Sequence, residues 1–245
     1  MPRYDLVIFD LDGTLADTVP GIAHAVSATF ERLGLPQPDP SEVQSKIGGG
    51  ARALVVGLLG PGRAELTDQV LAEFSSYYNN HAELFTNLYP GVRQTLHQLR
   101  RTYHLALATA KTRPATLRVL DHESLTDQFD VIVTANEMRA PKPDPGCLKD
   151  ILTELQTAPS LAVMVGDTMT DVECARRAGL DAWIVTYGYG YQAIKAAGWH
   201  GPEISQFSQL GALLAEQVGQ AEQAEQAEQA QQAEQVEQAE PDRDS

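Results

Sequence analysis

A chain of 245 residues, 43% of them apolar, has ample material for a core and is globular in composition rather than disordered or fibrous. Its formal charge of −15 leaves no basic surplus for a phosphate backbone, which excludes nucleic acid as the main partner. No stretch approaches the roughly 20 apolar residues of a membrane span. Only two cysteines occur, Cys147 and Cys174, at no metal-like spacing, which predicts free buried thiols and a reducing, cytoplasmic compartment.

In chain order, the first element is the apolar run "LVIF" (Leu6 to Phe9), which opens "LVIFDLDGTLADT", Leu6 to Thr18. Asp5, Asp10 and Asp12 interrupt the run, so it does not read as a signal peptide. It reads as a buried strand, because both of its alternating faces are apolar. Asp10 and Asp12 follow at once, and like charges that close oppose each other's ionisation unless a cation neutralises them. From about Asp17 to Leu88 the pattern turns helical, with segments such as "GIAHAVSATFERLG" and "AELTDQVLAEFSSYYNNHAELF" and no strand. This predicts an inserted helical domain, residues 17–87, with "NLYPG" (Asn87 to Gly91) as the return hinge. Tyr77, Tyr78, Phe74 and Phe85 within it are expected to be core of that domain, and the six histidines to be surface or packing residues.

Buried strands then recur at Leu105 to Thr109, Asp130 to Ala135, Leu161 to Asp167 and Ala182 to Gly188, separated by helical patterns such as "GVRQTLHQLRR" and "GCLKDILTELQ". Strands alternating with helices predict an α/β domain, a doubly wound parallel sheet made of residues 1–16 and 88–218. Residues 219–245 form an acidic tail rich in Ala, Glu and Gln. The "AEQ" triplet turns each alanine about 60° round a helix, so no constant apolar stripe forms. A solvated tail is expected, with binding to an unknown partner as the alternative. From Gln220 onward it holds six Glu and two Asp against one Arg, seven of the fifteen net negative charges.

In such a sheet the loops leaving the carboxyl ends of the strands gather at one edge, where ligands bind. That rule collects Asp10, Asp12 and Thr14, then Thr109 and Lys111, then Lys142 in "APKPDP", then Asp167 and Asp171 in "GDTMTD". Asp144 is read as the N-cap and Pro145 as the first residue of the helix that follows Lys142. Four carboxylates around one lysine call for a hard divalent cation, and oxygen ligation suits Mg²⁺. The cation in turn implies an anionic substrate, most simply a phosphate. One carboxylate can attack phosphorus while another protonates the leaving oxygen and later activates water.

The four segments "DLDGTLADT", "LATAK", "APKPDP" and "VGDTMTD" resemble the four motifs of the haloacid dehalogenase-like hydrolase superfamily, and the resemblance runs from about Tyr4 to Leu214. It implies a Rossmann-like core with a helical cap. Asp10 would be the nucleophile and Asp12 the general acid/base, with Thr109, the Ala110 amide and Lys142 holding the phosphoryl group. Mg²⁺ would bind Asp10, the Asp12 carbonyl and Asp167, with Asp171 supporting through water or Lys142. Ala110 departs from the pattern, in which Asn often stands there. The second aspartate, Asp12, marks phosphoryl transfer rather than dehalogenation.

The cap segment "KIGGGARALV" resembles that of phosphoglycolate phosphatases, as "TYGYGY" (Thr186 to Tyr191) resembles their last strand region. Lys46, Gly49 and Arg52 are therefore expected to meet substrate, the alternative being an ordinary helix–helix turn. The expected activity is a Mg²⁺-dependent phosphatase acting on a small phosphorylated metabolite, 2-phosphoglycolate foremost. Pyrophosphatase, sugar-phosphate phosphatase and mutase activities are the alternatives, as is a non-catalytic scaffold working through the tail. A monomer or homodimer fits any of these.

Overall fold

The computed structural model describes residues 4–216, so the acidic tail lies outside the described residues. Strand β1 (Leu6–Phe9) leads through a sharp turn into a two-residue strand, β2 (Ala16–Asp17). Helices α1 (Val19–Arg32), α2 (Pro40–Ser45), α3 (Gly50–Leu59) and α4 (Thr67–His81) follow, and β3 (Asn87–Leu88) brings the chain back. The remainder alternates: α5 (Val92–Leu99), β4 (His104–Ala108), α6 (Arg113–His122), β5 (Val131–Val133), α7 (Gly146–Glu154), β6 (Ala162–Gly166), α8 (Met169–Ala178), β7 (Asp181–Val185), α9 (Tyr191–Ala196) and β8 (Glu203–Ile204).

Six strands pair in the order β5-β4-β1-β6-β7-β8, with every pairing parallel. The period of two decides which side chains go to which face. Val7, Phe9, Leu105, Leu107, Val163 and Val165 belong to one buried cluster, while Leu6, Ile8, Ala106, Ala108, Ala162 and Met164 belong to another. Both faces are covered, which is why these strands are continuous apolar runs. Each fully buried Leu, Ile or Phe stabilises the fold by about 1.5–3 kcal/mol. The first cluster continues into the inserted helices through Ile22, Phe30, Val55 and Phe74, so cap and core share one apolar body.

The chain order reverses at β1, which lies between β4 and β6. Loops after these three strands therefore open on a common crevice, the place where such sheets bind ligands.

Several local expectations need correction. The boundary of the insert does contain strand: β2 and β3 pair antiparallel, Ala16 opposite Leu88 and Asp17 opposite Asn87. Two residues are too few to leave a periodic signal. The crossing point is this pair, at the start of the expected hinge Asn87 to Gly91, and Gly91, at φ +85°, caps α5. Strand β8 was likewise too short to read. Phe85 is not cap core, being 57% exposed with φ +60° and its ring against His24. Helix α7 is capped by Pro145, one residue later than expected, although Asp144 Oδ1 still accepts from the Gly146 amide at 2.9 Å. No helix among the described residues is long and apolar enough to cross a membrane.

Candidate active site

The turn after β1 sets the first pair of carboxylates. Asp10 N–H donates to Val165 O at 3.0 Å, extending the strand contact by one residue. Gly13, at φ +78°, then reverses the chain, and its amide donates to Ala16 O at 2.9 Å. A side chain at Gly13 would stand 2.3 Å from Asp167 Oδ2, so glycine here serves both the turn and the closeness of the second loop.

Asp10, Asp167 and Asp171, all buried, bring one carboxylate oxygen each within 4.8 Å of the others. Burial is the main cause that raises Asp10 to a pKa of about 7; Lys142 opposes it, and Asp171 and Asp12 add to it. Burial, then Asp171 and Asp10, push Asp167 well above the ordinary carboxylate range. Asp10 Oδ1 is buried and has no hydrogen-bond partner; Lys142 Nζ lies 3.2 Å away as a charge contact without hydrogen-bond geometry. An orphaned oxygen inside a cluster of hard donors fits a divalent cation.

Asp171 is differently placed. Its Oδ1 accepts from Lys142 Nζ at 2.6 Å, and its Oδ2 accepts from the Thr168 amide at 3.0 Å and the Thr168 hydroxyl at 2.6 Å. It is the third residue of a capping box that starts α8, so its oxygens are largely committed. Lys142 is 6% exposed and also donates to Ala108 O at 3.0 Å. Burial works against its charge, but Asp10 and Asp171 outweigh burial and raise its pKa above that of a free lysine.

Asp167 is held by the loop after β7. Its Oδ2 accepts from the Tyr189 amide at 2.8 Å and from Gly190 at 3.3 Å, and Thr14 Oγ1 donates to its Oδ1 at 3.4 Å. A Cβ on Gly188 would lie 2.2 Å from the Asp167 Cβ, and one on Gly190 2.4 Å from its carbonyl oxygen. The same Tyr189 reaches the hinge. Its hydroxyl accepts from the Thr18 amide at 2.7 Å and donates to Asp17 Oδ1 at 2.9 Å. The alternating glycines of "TYGYGY" were the available signal for this cradle, but nothing in the sequence tied them to Asp167.

The sequence reading also gave Lys111 no role. It is 6% exposed, with Nζ 2.9 Å from Asp12 Oδ1 and donating to the Tyr78 hydroxyl at 2.5 Å. Burial disfavours its charge, yet Asp12 and Tyr78 together raise its pKa above that of a free lysine. The edge thus holds four carboxylates and two buried ammonium groups, rather than the single lysine expected. The residual charge of about −2 matches a divalent cation. Thr109 is fully buried below the site, where its hydroxyl accepts from the Lys111 amide at 3.2 Å.

Between core and cap lies a cavity of about 50 Å³. That is room for a few waters or a small oxyanion with a short tail. Asp10, Asp12, Ala110 and Lys111 form its core side. Phe74, Ser75, Tyr78 and Asn79 form part of its cap side, on one face of α4 at helical spacing. Phe74 and Tyr78 are buried as expected, but they also wall the cavity, with rings stacked at 5.4 Å.

The glycine loop does approach the site: Cβ atoms on Gly48 and Gly50 would lie 3.3 Å from Thr168 Cγ2 and Ala110 O. The three cap residues expected to meet substrate do not line the cavity. Gly49 is exposed while its two neighbours face inward. Lys46 is exposed, with its stem along Gly57, and Arg52 turns outward to Asp68 at 2.6 Å. Charged heads of long side chains favour water when nothing inside pairs them. His24 and His81 also turn away, to the Tyr77 hydroxyl and carbonyl at 2.9 and 2.8 Å.

The family described as haloacid dehalogenase-like hydrolase matches residues 7–185. A phosphoglycolate phosphatase of Pseudomonas putida is 37% identical, over 78% of this chain and 72% of that protein. One from Aliivibrio fischeri is 34% identical, over 76% and 86%. Among solved structures, a haloacid dehalogenase-like family hydrolase of Streptococcus pneumoniae superposes with a TM-score of 0.76 at 25% identity, covering 86% of this chain and 98% of that one.

Proposed function

The chain belongs to the haloacid dehalogenase-like hydrolases, and from that membership we propose that it is a Mg²⁺-dependent phosphatase whose substrate is 2-phosphoglycolate. The observation that carries the chemistry is Asp10, a buried carboxylate with one oxygen unpartnered, at the floor of a small cavity and beside Lys142. The relatives named phosphoglycolate phosphatase support the choice of substrate.

In this reading Asp10 attacks phosphorus, forming an aspartyl-phosphate and releasing the alcohol, and water then cleaves the acyl phosphate. Asp12 faces the cavity from the opposite side of Leu11, where it gives a proton to the leaving oxygen and later takes one from water. Lys142 steadies Asp10 and the transferring group, while Thr109 and the Ala110 amide complete the phosphate seat. Asp10, the Asp12 carbonyl and Asp167 would hold Mg²⁺, with Asp171 acting through Lys142. Bound there, the ion would offset the clustered carboxylates and the charge on the phosphoryl oxygens. The cap wall keeps bulk water from the acyl phosphate. Two free buried thiols suit the cytoplasm as its location.

The test is phosphate release from a panel of phosphorylated metabolites with Mg²⁺, with wild type beside Asp10→Asn. We expect 2-phosphoglycolate to lead the panel and the variant to lose about 10⁴-fold or more in kcat, as removal of a nucleophile does. A panel led by pyrophosphate or a sugar phosphate would overturn the substrate. Turnover surviving in Asp10→Asn would overturn the mechanism.

A further inference from the structure

Lys111 is the single cation among the described residues that line the cavity. Its ammonium has three donors. Its Nζ donates to the Tyr78 hydroxyl at 2.5 Å and lies 2.9 Å from Asp12 Oδ1 as a charge contact without hydrogen-bond geometry, so its donors are not all committed within the protein. The expected cap cations cannot share this task, since Lys46 and Arg52 both turn outward. Much of the remaining lining is apolar, with Ile22, Ile47, Leu54 and Phe74 beside the neutral Ser75, Asn79 and Thr112, so no other group in the cavity offers a positive charge to an anion.

Position converts this into selectivity. If Asp12 serves the leaving oxygen, that oxygen sits within hydrogen-bond reach of the Asp12 carboxylate, and Lys111 Nζ lies beside the same carboxylate. Bond lengths near 1.5 Å put an anionic oxygen on the carbon next to the ester carbon about 3 Å from the ester oxygen. A carboxylate at that place falls within reach of Lys111, whereas one several carbons further out would lie beyond it.

We infer that Lys111 is a specificity-determining residue that selects phosphate esters carrying a carboxylate on the ester carbon, the phosphorylated 2-hydroxy acids. The inference rests on the phosphatase reading and deepens it by naming the group that reads the leaving half of the substrate.

The experiment compares 2-phosphoglycolate with 2-hydroxyethyl phosphate, which replaces the carboxylate by a neutral alcohol, for wild type and Lys111→Met with Mg²⁺. Wild type is expected to favour the acid by about 10- to 100-fold in kcat/KM, the range of a charge-assisted hydrogen bond. In Lys111→Met that ratio should collapse toward one. A residue that only positions Asp12 would lower both esters by the same factor and leave the ratio intact, and that result overturns the inference. Equal use of the two esters by wild type overturns it too, while leaving the phosphatase standing. Hydrolysis of neither ester brings down both readings.

A second measurement needs no variant and covers the case of misfolding. With p-nitrophenyl phosphate as reporter, 3-phosphonopropionate should inhibit wild type about 10- to 100-fold more tightly than propylphosphonate. Equal inhibition by the two would also overturn the inference.

Discussion

The core and the cap meet at one cavity but contribute to it in opposite ways. Core residues bring charge, and two of the carboxylates are held from several directions: Asp167 by two amides and a hydroxyl, Asp171 by a lysine and a helix cap. The cap brings a wall of apolar side chains with a few neutral polar groups, and its own charged residues point to solvent. The difference teaches that chemistry and selection are built here from different materials. A group that must stay ionised near other charges needs fixed partners, which a strand-end loop supplies. A surface that has only to exclude water and fit a small tail can be built from one face of a helix.

The sharpest way to break this contrast is to remove charge from the core. Asp10 has its pKa raised to about 7 in the fold from an ordinary 3.8, so the metal-free protein should lose stability as pH climbs from about 4 to about 7 and stay at the lower level above that. The full displacement corresponds to at most about 4 kcal/mol. Asp10→Asn cannot titrate. Its metal-free melting temperature should therefore exceed that of wild type at pH 8 and approach it near pH 4, and Mg²⁺ should restore wild type at pH 8. Parallel melting curves for the two proteins across pH would show that the core does not store this repulsion.

Next in size is the cradle. Gly188→Ala would drive a methyl to within 2.2 Å of the Asp167 Cβ. Overpacking of this kind costs about 1–3 kcal/mol, a fall of roughly 3–10 °C in melting temperature. Displacing a ligand's supports should also weaken metal affinity by about 10- to 100-fold, readable by titrating Mg²⁺ against activity. Unchanged affinity would mean that Asp167 needs no such support.

Tyr189→Phe should act more mildly. It removes the hydroxyl between Thr18 and Asp17 but leaves the backbone amide on Asp167. A loss of about 1 kcal/mol is expected, with kcat and KM changing together, as hinge variants behave. A change confined to KM would place the effect in substrate contact instead. The smallest effect belongs to Arg52→Ala. Its exposed pair with Asp68 should contribute less than about 1 kcal/mol, and kcat/KM should stay within about twofold. A large loss of activity would return that cation to the substrate and blur the division between the two regions.

The same division governs what could be read before the structure. Strand β1 was bounded correctly at Leu6 and Phe9, and the other long strands fell within a few residues, because burial on both faces writes itself as an apolar run. Asp10, Lys142, Asp167 and Asp171 could be gathered from distant positions because parallel topology sends strand ends to one edge. The cap offered no such rule. Which of Lys46, Ile47, Gly48 and Gly49 faces inward depends on how α3 packs, and side-chain type pointed to the charged residue when the inward ones were Ile47 and Gly48. Lys111 was visible as a member of the cluster, but its partner Tyr78 lies 33 residues away on the cap, and no local pattern joins them.

The two-residue ladder between β2 and β3 has a consequence for how the molecule could be remade. Ala16 lies opposite Leu88 and Asp17 opposite Asn87, so the chain departs from the sheet and returns to it at neighbouring points. Everything between hangs from that ladder like a cassette, and a short hairpin turn could bridge the gap without moving β1 or β4. Such an excision would uncover the face of α6 that packs against α4 and need polar replacements there. With that done, the catalytic edge would open to leaving groups of any size, and exchanging one cassette for another would change the clientele while leaving the chemistry in place.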